Sequence, residues 1–208
     1  MLLHENAFLF DAEFADFLKL GWDHIIDIKA YDHLLFVMTL CAAFTVKEWR
    51  KILVIITAFT IGHSLTLALS TLNYIILPSD LVELLIPATI LLTALSNIII
   101  KNRDETSKTF EKQLIIKYFI ALVFGLIHGL GFANNFKFML GEESSILKQL
   151  FAFNSGLELG QITVVIVFMA LLWLLTKIFN IIHREWNLFV SGAGAGIAII
   201  LILNVLFP

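Results

Sequence analysis

Three histidines and at least two acids stand inside or at the edge of segments that otherwise read as lipid-soluble: Asp32 and His33, His63, His128 and Glu158. Ionisable groups in hydrocarbon are costly unless they pair, hydrate or bind something, so such residues mark function more often than packing. Imidazole and carboxylate without sulfur form a borderline donor set that suits Ni(II), Co(II), Zn(II) and Fe(II) and disfavours Cu(I). A carboxylate beside an imidazole, as at Asp32 and His33, can share an ion with it or orient it from outside. The residue types therefore point to a divalent-metal site inside a membrane, with proton exchange as a related chemistry because histidine titrates near neutrality. The plainer alternatives are a snorkelling pair at 32 and 33 and neutral imidazoles hydrogen-bonded within the bundle at 63 and 128.

Composition explains why lipid has to be the solvent. With 59% hydrophobic residues, 15% charged residues and a mean hydropathy of +0.91 over 208 residues, there is too little polar surface to cover a water-soluble globule. A net charge of -3 says little about partners, and no nucleic-acid partner is expected. The lone Cys41 excludes an intramolecular disulfide or a thiolate cluster within one chain. The opening MLLHENAFLFDAEF lacks the basic region and cleavage site of a secretory signal and is expected to belong to the mature protein.

Six apolar runs are readable, at 30 to 46, 52 to 72, 80 to 100, 114 to 132, 157 to 179 and 187 to 207, most near the ~20 residues that cross a bilayer. The expected fold is an all-α polytopic membrane bundle of about six helices. Residues 1–29 form an N-terminal interfacial segment and 30–208 the transmembrane domain. Within the former, Asp11 to Gly21 reads as a short amphipathic helix with Asp11 as N-cap and Gly21 closing it, lying in the interface or packed over the bundle's end. Residues 146–156 read either as a re-entrant helix broken at Asn154-Ser155-Gly156 or as the start of one tilted helix. The polar stretch 101–113 reads as a mobile cytoplasmic loop.

Basic residues set the expected orientation. Lys47, Arg50, Lys51, Lys101, Arg103, Lys108, Lys112, Lys117, Lys177 and Arg184 fall on one side, against Lys19, Lys29, Lys137 and Lys148 on the other. The positive-inside rule then puts both termini outside, in a multi-pass protein of the cell inner membrane. Counted from the cytoplasmic entry, His63 lies about 16 Å along its span and His128 about 21 Å. Asp32, His33, Asn154, Glu158 and Gln161 fall near the outer ends of theirs, so all are expected to share the outer half of the bilayer. Asn154, Glu158 and Gln161, spaced i, i+4, i+7, form one inward stripe, and Ser64 adds a hydroxyl beside His63. Gly125-xxx-Gly129, Gly156-xxx-Gly160 and Gly192-xxx-Gly196 each suit close approach of helices.

These residues carry a family resemblance. Gly-Trp-Asp-His-Ile ahead of Tyr-Asp-His-Leu-Leu-Phe, then Phe-Thr-Ile-Gly-His-Ser-Leu-Thr-Leu, Phe-Gly-Leu-Ile-His-Gly-Leu-Gly-Phe-Ala and Phe-Asn-Ser-Gly-Leu-Glu-Leu-Gly-Gln resemble the HupE/UreJ-type hydrogenase and urease accessory membrane proteins. The resemblance runs from about Gly21 to Gln161 and implies a secondary permease for nickel or cobalt, with His24, Asp32 and His33 on the metal path and His63 and His128 as further polar positions. Seven residues separate His24 from Asp32, two more than the family's usual spacing, which in a continuous helix would turn His24 by roughly 200° from the pair.

The expected ligands are Asp32, His33, His63, His128 and Glu158, supported by His24, Ser64, Asn154 and Gln161, around one divalent ion, Ni, Co or Zn. The bilayer and the ion are the expected partners, and a homo-oligomer is compatible with the sequence. Transport requires a polar route onward from His63, for which Thr57, Ser96 and Asn97 are the evident candidates. The alternative is a membrane-embedded zinc hydrolase or transferase acting on a lipid-linked substrate at the outer leaflet, with a site closed toward the cytoplasm.

Overall fold

In lipid every backbone polar group has to be satisfied within the chain, and apolar runs of this length do so as helices. The computed structural model describes residues 2–28, 31–100, 108–140 and 146–207, with side-chain positions for 12–28, 31–100, 114–140 and 146–207. Among the described residues there are seven α-helices and no strand. They are α1 (Leu2–Ile26), α2 (Asp32–Ala42), α3 (Trp49–Thr71, entered through a 3-10 turn at Val46–Glu48), α4 (Ser79–Ile99), α5 (Lys108–Met139), α6 (Ile146–Ile178) and α7 (His183–Leu206). The chain is an integral membrane protein: α3 to α7 are each long and apolar enough to cross a bilayer. Most of the expected loop at 101–113 lies outside the described residues.

The first expected span takes a different form. Its helix, α2, has 11 residues, about 16 Å and half a hydrocarbon core. The N-terminal helix is correspondingly longer than expected: α1 passes through Asp11 rather than being capped there, and Gly21 lies in its interior. The two follow one another in the same sense. α1 runs beside the first half of α6, from Glu13 at Gln149 to Ile25 at Gly160. α2 then continues to the end of the bundle where α3, α5 and α7 begin, where Asn97 donates to the Thr39 carbonyl at 2.8 Å and His183 meets the Phe44 carbonyl at 3.0 Å. Lys47, Arg50, Lys51, Lys117, Lys177 and Arg184 gather at that basic end.

Close helix approach depends on glycine at two interfaces. A Cβ on Gly156 would collide with the Leu18 carbonyl, and one on Gly21 with the Phe153 carbonyl, so α1 and α6 touch backbone to backbone. α3 and α5 meet likewise, Gly125 against the Phe59 carbonyl and Gly129 against that of His63. The third expected pair differs: Gly192 and Gly196 have nothing within 4 Å, and Gly194 between them is the one seated, against Thr39.

Helix ends are closed by side chains where the sequence supplies them. The Glu48 carboxylate accepts from the Thr45 backbone N–H at 2.9 Å and from Lys51 at 3.1 Å, fixing the entry to α3. Asn73 and Asn180 adopt positive φ, 61° and 53°, just beyond α3 and α6. At the far end of α4 the Arg184 guanidinium donates to the terminal carbonyls of Asn97 (2.9 Å), Ile98 and Ile100 (3.2 Å). Asn97 thereby joins α4 to α2 and α7 through its side chain and its carbonyl.

Candidate metal centre

The break between α1 and α2 brings two histidines together. His24 sits in the last turn of α1 and His33 in the first turn of α2, with ring centroids 4.4 Å apart. A continuous helix would have turned them apart, but the helix is not continuous, so His24 joins the centre rather than merely supporting it. His63, on α3, lies 6.0 Å from His24 and 5.8 Å from His33 by ring centroid. One ring nitrogen from each of His24, His33 and His63 lies within 4.8 Å of the others, close enough for the three to share one ion.

Neighbouring groups decide which nitrogens face inward. The Asp32 carboxylate accepts from the His33 backbone N–H at 2.9 Å and from its Nδ1 at 3.2 Å, which leaves Nε2 as the lone-pair atom. Asp32 therefore orients the His33 ring. His128, on α5, stands 5.0 Å from His33 by ring centroid. Its Nε2 lies 3.0 Å from Thr89 Oγ1, whose single hydrogen goes to the Ile86 carbonyl at 2.7 Å. Thr89 thus accepts from Nε2–H, and His128 keeps its lone pair on Nδ1.

Burial makes this arrangement costly unless something compensates it. His63 and His128 are 0% exposed and His33 3%. The ring nitrogens His24 Nε2, His33 Nε2, both of His63, and His128 Nδ1 are buried without a protein partner. Such orphaned atoms are uncommon singly, and five in one layer call for a common ligand such as water, a proton or a cation. Phe36, Phe59, Phe132 and Phe153 pack around the rings and limit their movement.

A cavity of about 660 Å3 leads to this layer between α1, α4 and α5. Asp23, Asp27, Asp32 and Glu83 line it together with His24, His33 and His128. Four carboxylates along its wall favour cations. Glu83 is thus part of the approach. Asp23 and Asp27 carry one signal in the sequence, their place within three residues of His24.

The remaining expected residues fall elsewhere. Glu158 accepts from Thr57 Oγ1 at 2.8 Å, and Gln161 Oε1 lies 2.8 Å from Thr60 Oγ1. Thr57 is two turns from His63 toward the basic end, about 9 Å along α3. Glu158 and Gln161 are therefore not at the mouth of their span, because α6 is one continuous helix from Ile146 and Glu158 lies twelve residues into it. Asn154, one turn earlier, has its Oδ1 buried without a partner, so the stripe does point inward. Ser64 donates to the Thr60 carbonyl at 2.6 Å.

The model of the HupE / UreJ protein family matches residues 4–206. The chain belongs to this family. Curated proteins and solved structures give no match to it. Membership across nearly the whole chain makes this HupE/UreJ protein one of a membrane family associated with nickel and cobalt handling.

Proposed function

We propose that this HupE/UreJ protein is a permease of the inner membrane that captures a divalent transition metal, nickel or cobalt, as its cargo. The observation that carries the reading is the trio His24, His33 and His63, with three ring nitrogens mutually within 4.8 Å at the end of an acid-lined cavity. His128 supplies a fourth imidazole beside them, and Asp32 orients His33. Nitrogen donors without thiolate suit nickel, cobalt or zinc over calcium and magnesium. Under the positive-inside rule the basic end is cytoplasmic, so the cavity opens outward and both termini lie outside.

A second reading, a zinc hydrolase or transferase working at the outer leaflet, uses the same histidines. It requires a site closed toward the cytoplasm. The paired polar side chains Thr57 with Glu158 and Thr60 with Gln161, lying beyond His63 on the basic side, favour onward passage instead. The deciding experiment is uptake of radiolabelled nickel into proteoliposomes by the wild type and His63→Ala. Saturable uptake lost in the variant supports the permease; tight nickel or zinc binding without uptake by the wild type overturns it.

A further inference from the structure

A second polar cluster lies nearer the basic end of the bundle and is chemically unlike the histidine layer. Thr57 and Thr60 on α3 face Glu158 and Gln161 on α6, each pair at i, i+3 and each joined across the helices at 2.8 Å. All its side-chain donors to a cation are oxygens. Among the described residues no Lys, Arg or His pairs with Glu158, whose one hydrogen-bond partner is the Thr57 hydroxyl. Gln161 is 0% exposed, and its Nε2 has no partner. Thr60 has one hydroxyl hydrogen and two acceptors in reach, the Ile56 carbonyl at 3.1 Å and Gln161. Whichever way the Gln161 amide is turned, one of its polar atoms stays unsatisfied.

A half-buried carboxylate on a membrane-spanning helix without a cationic neighbour is poorly compensated. Two hydroxyls, an amide oxygen and one carboxylate carry a single negative charge, which one monovalent ion neutralises. Hard oxygen donors select alkali cations over the borderline metals that imidazole prefers. We propose that Thr57, Thr60, Glu158 and Gln161 bind a small alkali cation, sodium in the first instance, at a site separate from the histidines. The permease reading is not needed for this binding, but if both hold, sodium is the natural coupling ion, held by side chains three and six residues from His63 on the same helix.

The test uses the full-length protein in detergent without nickel, its unfolding followed by tryptophan fluorescence in sodium chloride or choline chloride at equal ionic strength. Sodium at about ten times its dissociation constant should raise Tm by several degrees, about 3 °C or more. Glu158→Gln should lose the shift, and the double variant Thr57→Val with Thr60→Val should reduce it. Nickel binding measured on the same samples reports the histidine layer independently, so failure of either site is visible alone. Equal Tm in sodium and choline for the wild type overturns the proposal. So does a sodium shift that survives in Glu158→Gln, or stabilisation that follows pH alone, which would make the site a proton carrier. Should Glu158→Gln fail to fold, the double threonine variant decides.

Discussion

His24 and His33 face one another at 4.4 Å across the break between two helices. That contact is what converts a spacing unfavourable in a continuous helix into a shared centre. Replacing either with alanine should therefore weaken nickel binding comparably, by at least about tenfold, or ~1.4 kcal/mol. Calorimetric titration of the detergent-purified variants checks this. Wild-type affinity in His24→Ala would reduce the centre to His33, His63 and His128.

In the proposed centre Asp32 acts on the metal through His33. Asp32→Asn removes the charge and lets the His33 ring turn or change tautomer, and such outer-partner changes cost about 10–100-fold in affinity. The fold should survive, because Asp32 is partly exposed and, among the described residues, its side chain hydrogen-bonds only to His33. Unchanged affinity with unchanged Tm would show that His33 is fixed by packing alone.

Thr89 holds the tautomer of His128. In Thr89→Val the Nε2–H is left buried without an acceptor, a loss of about 1–3 kcal/mol. For a chain of this size that lowers Tm by roughly 2–4 °C per kcal/mol. Thr89→Ser should restore most of it. Equal melting of the valine and serine variants would rule out the hydrogen bond as the cause.

Glycine positions should divide sharply. Gly156→Leu drives a side chain into the Leu18 backbone and should prevent α1 from seating on α6, with loss of nickel binding and of a monodisperse elution profile. Gly192→Leu meets open space and should behave as wild type. Loss of the folded protein in the second variant, with the first unaffected, would contradict the interface described above.

What the sequence made legible divides along the same physical line. The helices α3 to α7 were readable because about 20 apolar residues in lipid have one solution, and their expected starts lie within a few residues of the observed ones except at α5 and α6. Depth counting placed His63 and His128 at neighbouring levels correctly, since each rides on a single regular helix. It sets Glu158 and Gln161 too near the outer end, because residues 146–156 read equally as a broken re-entrant segment or as the start of one helix, and α6 adopts the second. His24 was undervalued for the opposite reason: an assumed continuous helix is absent, and local periodicity carries no information on how a chain re-enters after a break. Gly192 and Gly196 show that a packing pattern does not say whether a partner is present.

The interruption between Ile26 and Asp32 and the acid-lined cavity belong together. Main-chain amides released from a helix at that depth are tolerable only against water or protein, never against acyl chains. The residues flanking the gap, Asp27 and Asp32, border the same space. Hydration is thus built into the wall that carries two of the three imidazoles, and any change that dried this chamber would also remove the reason for the chain to pause there.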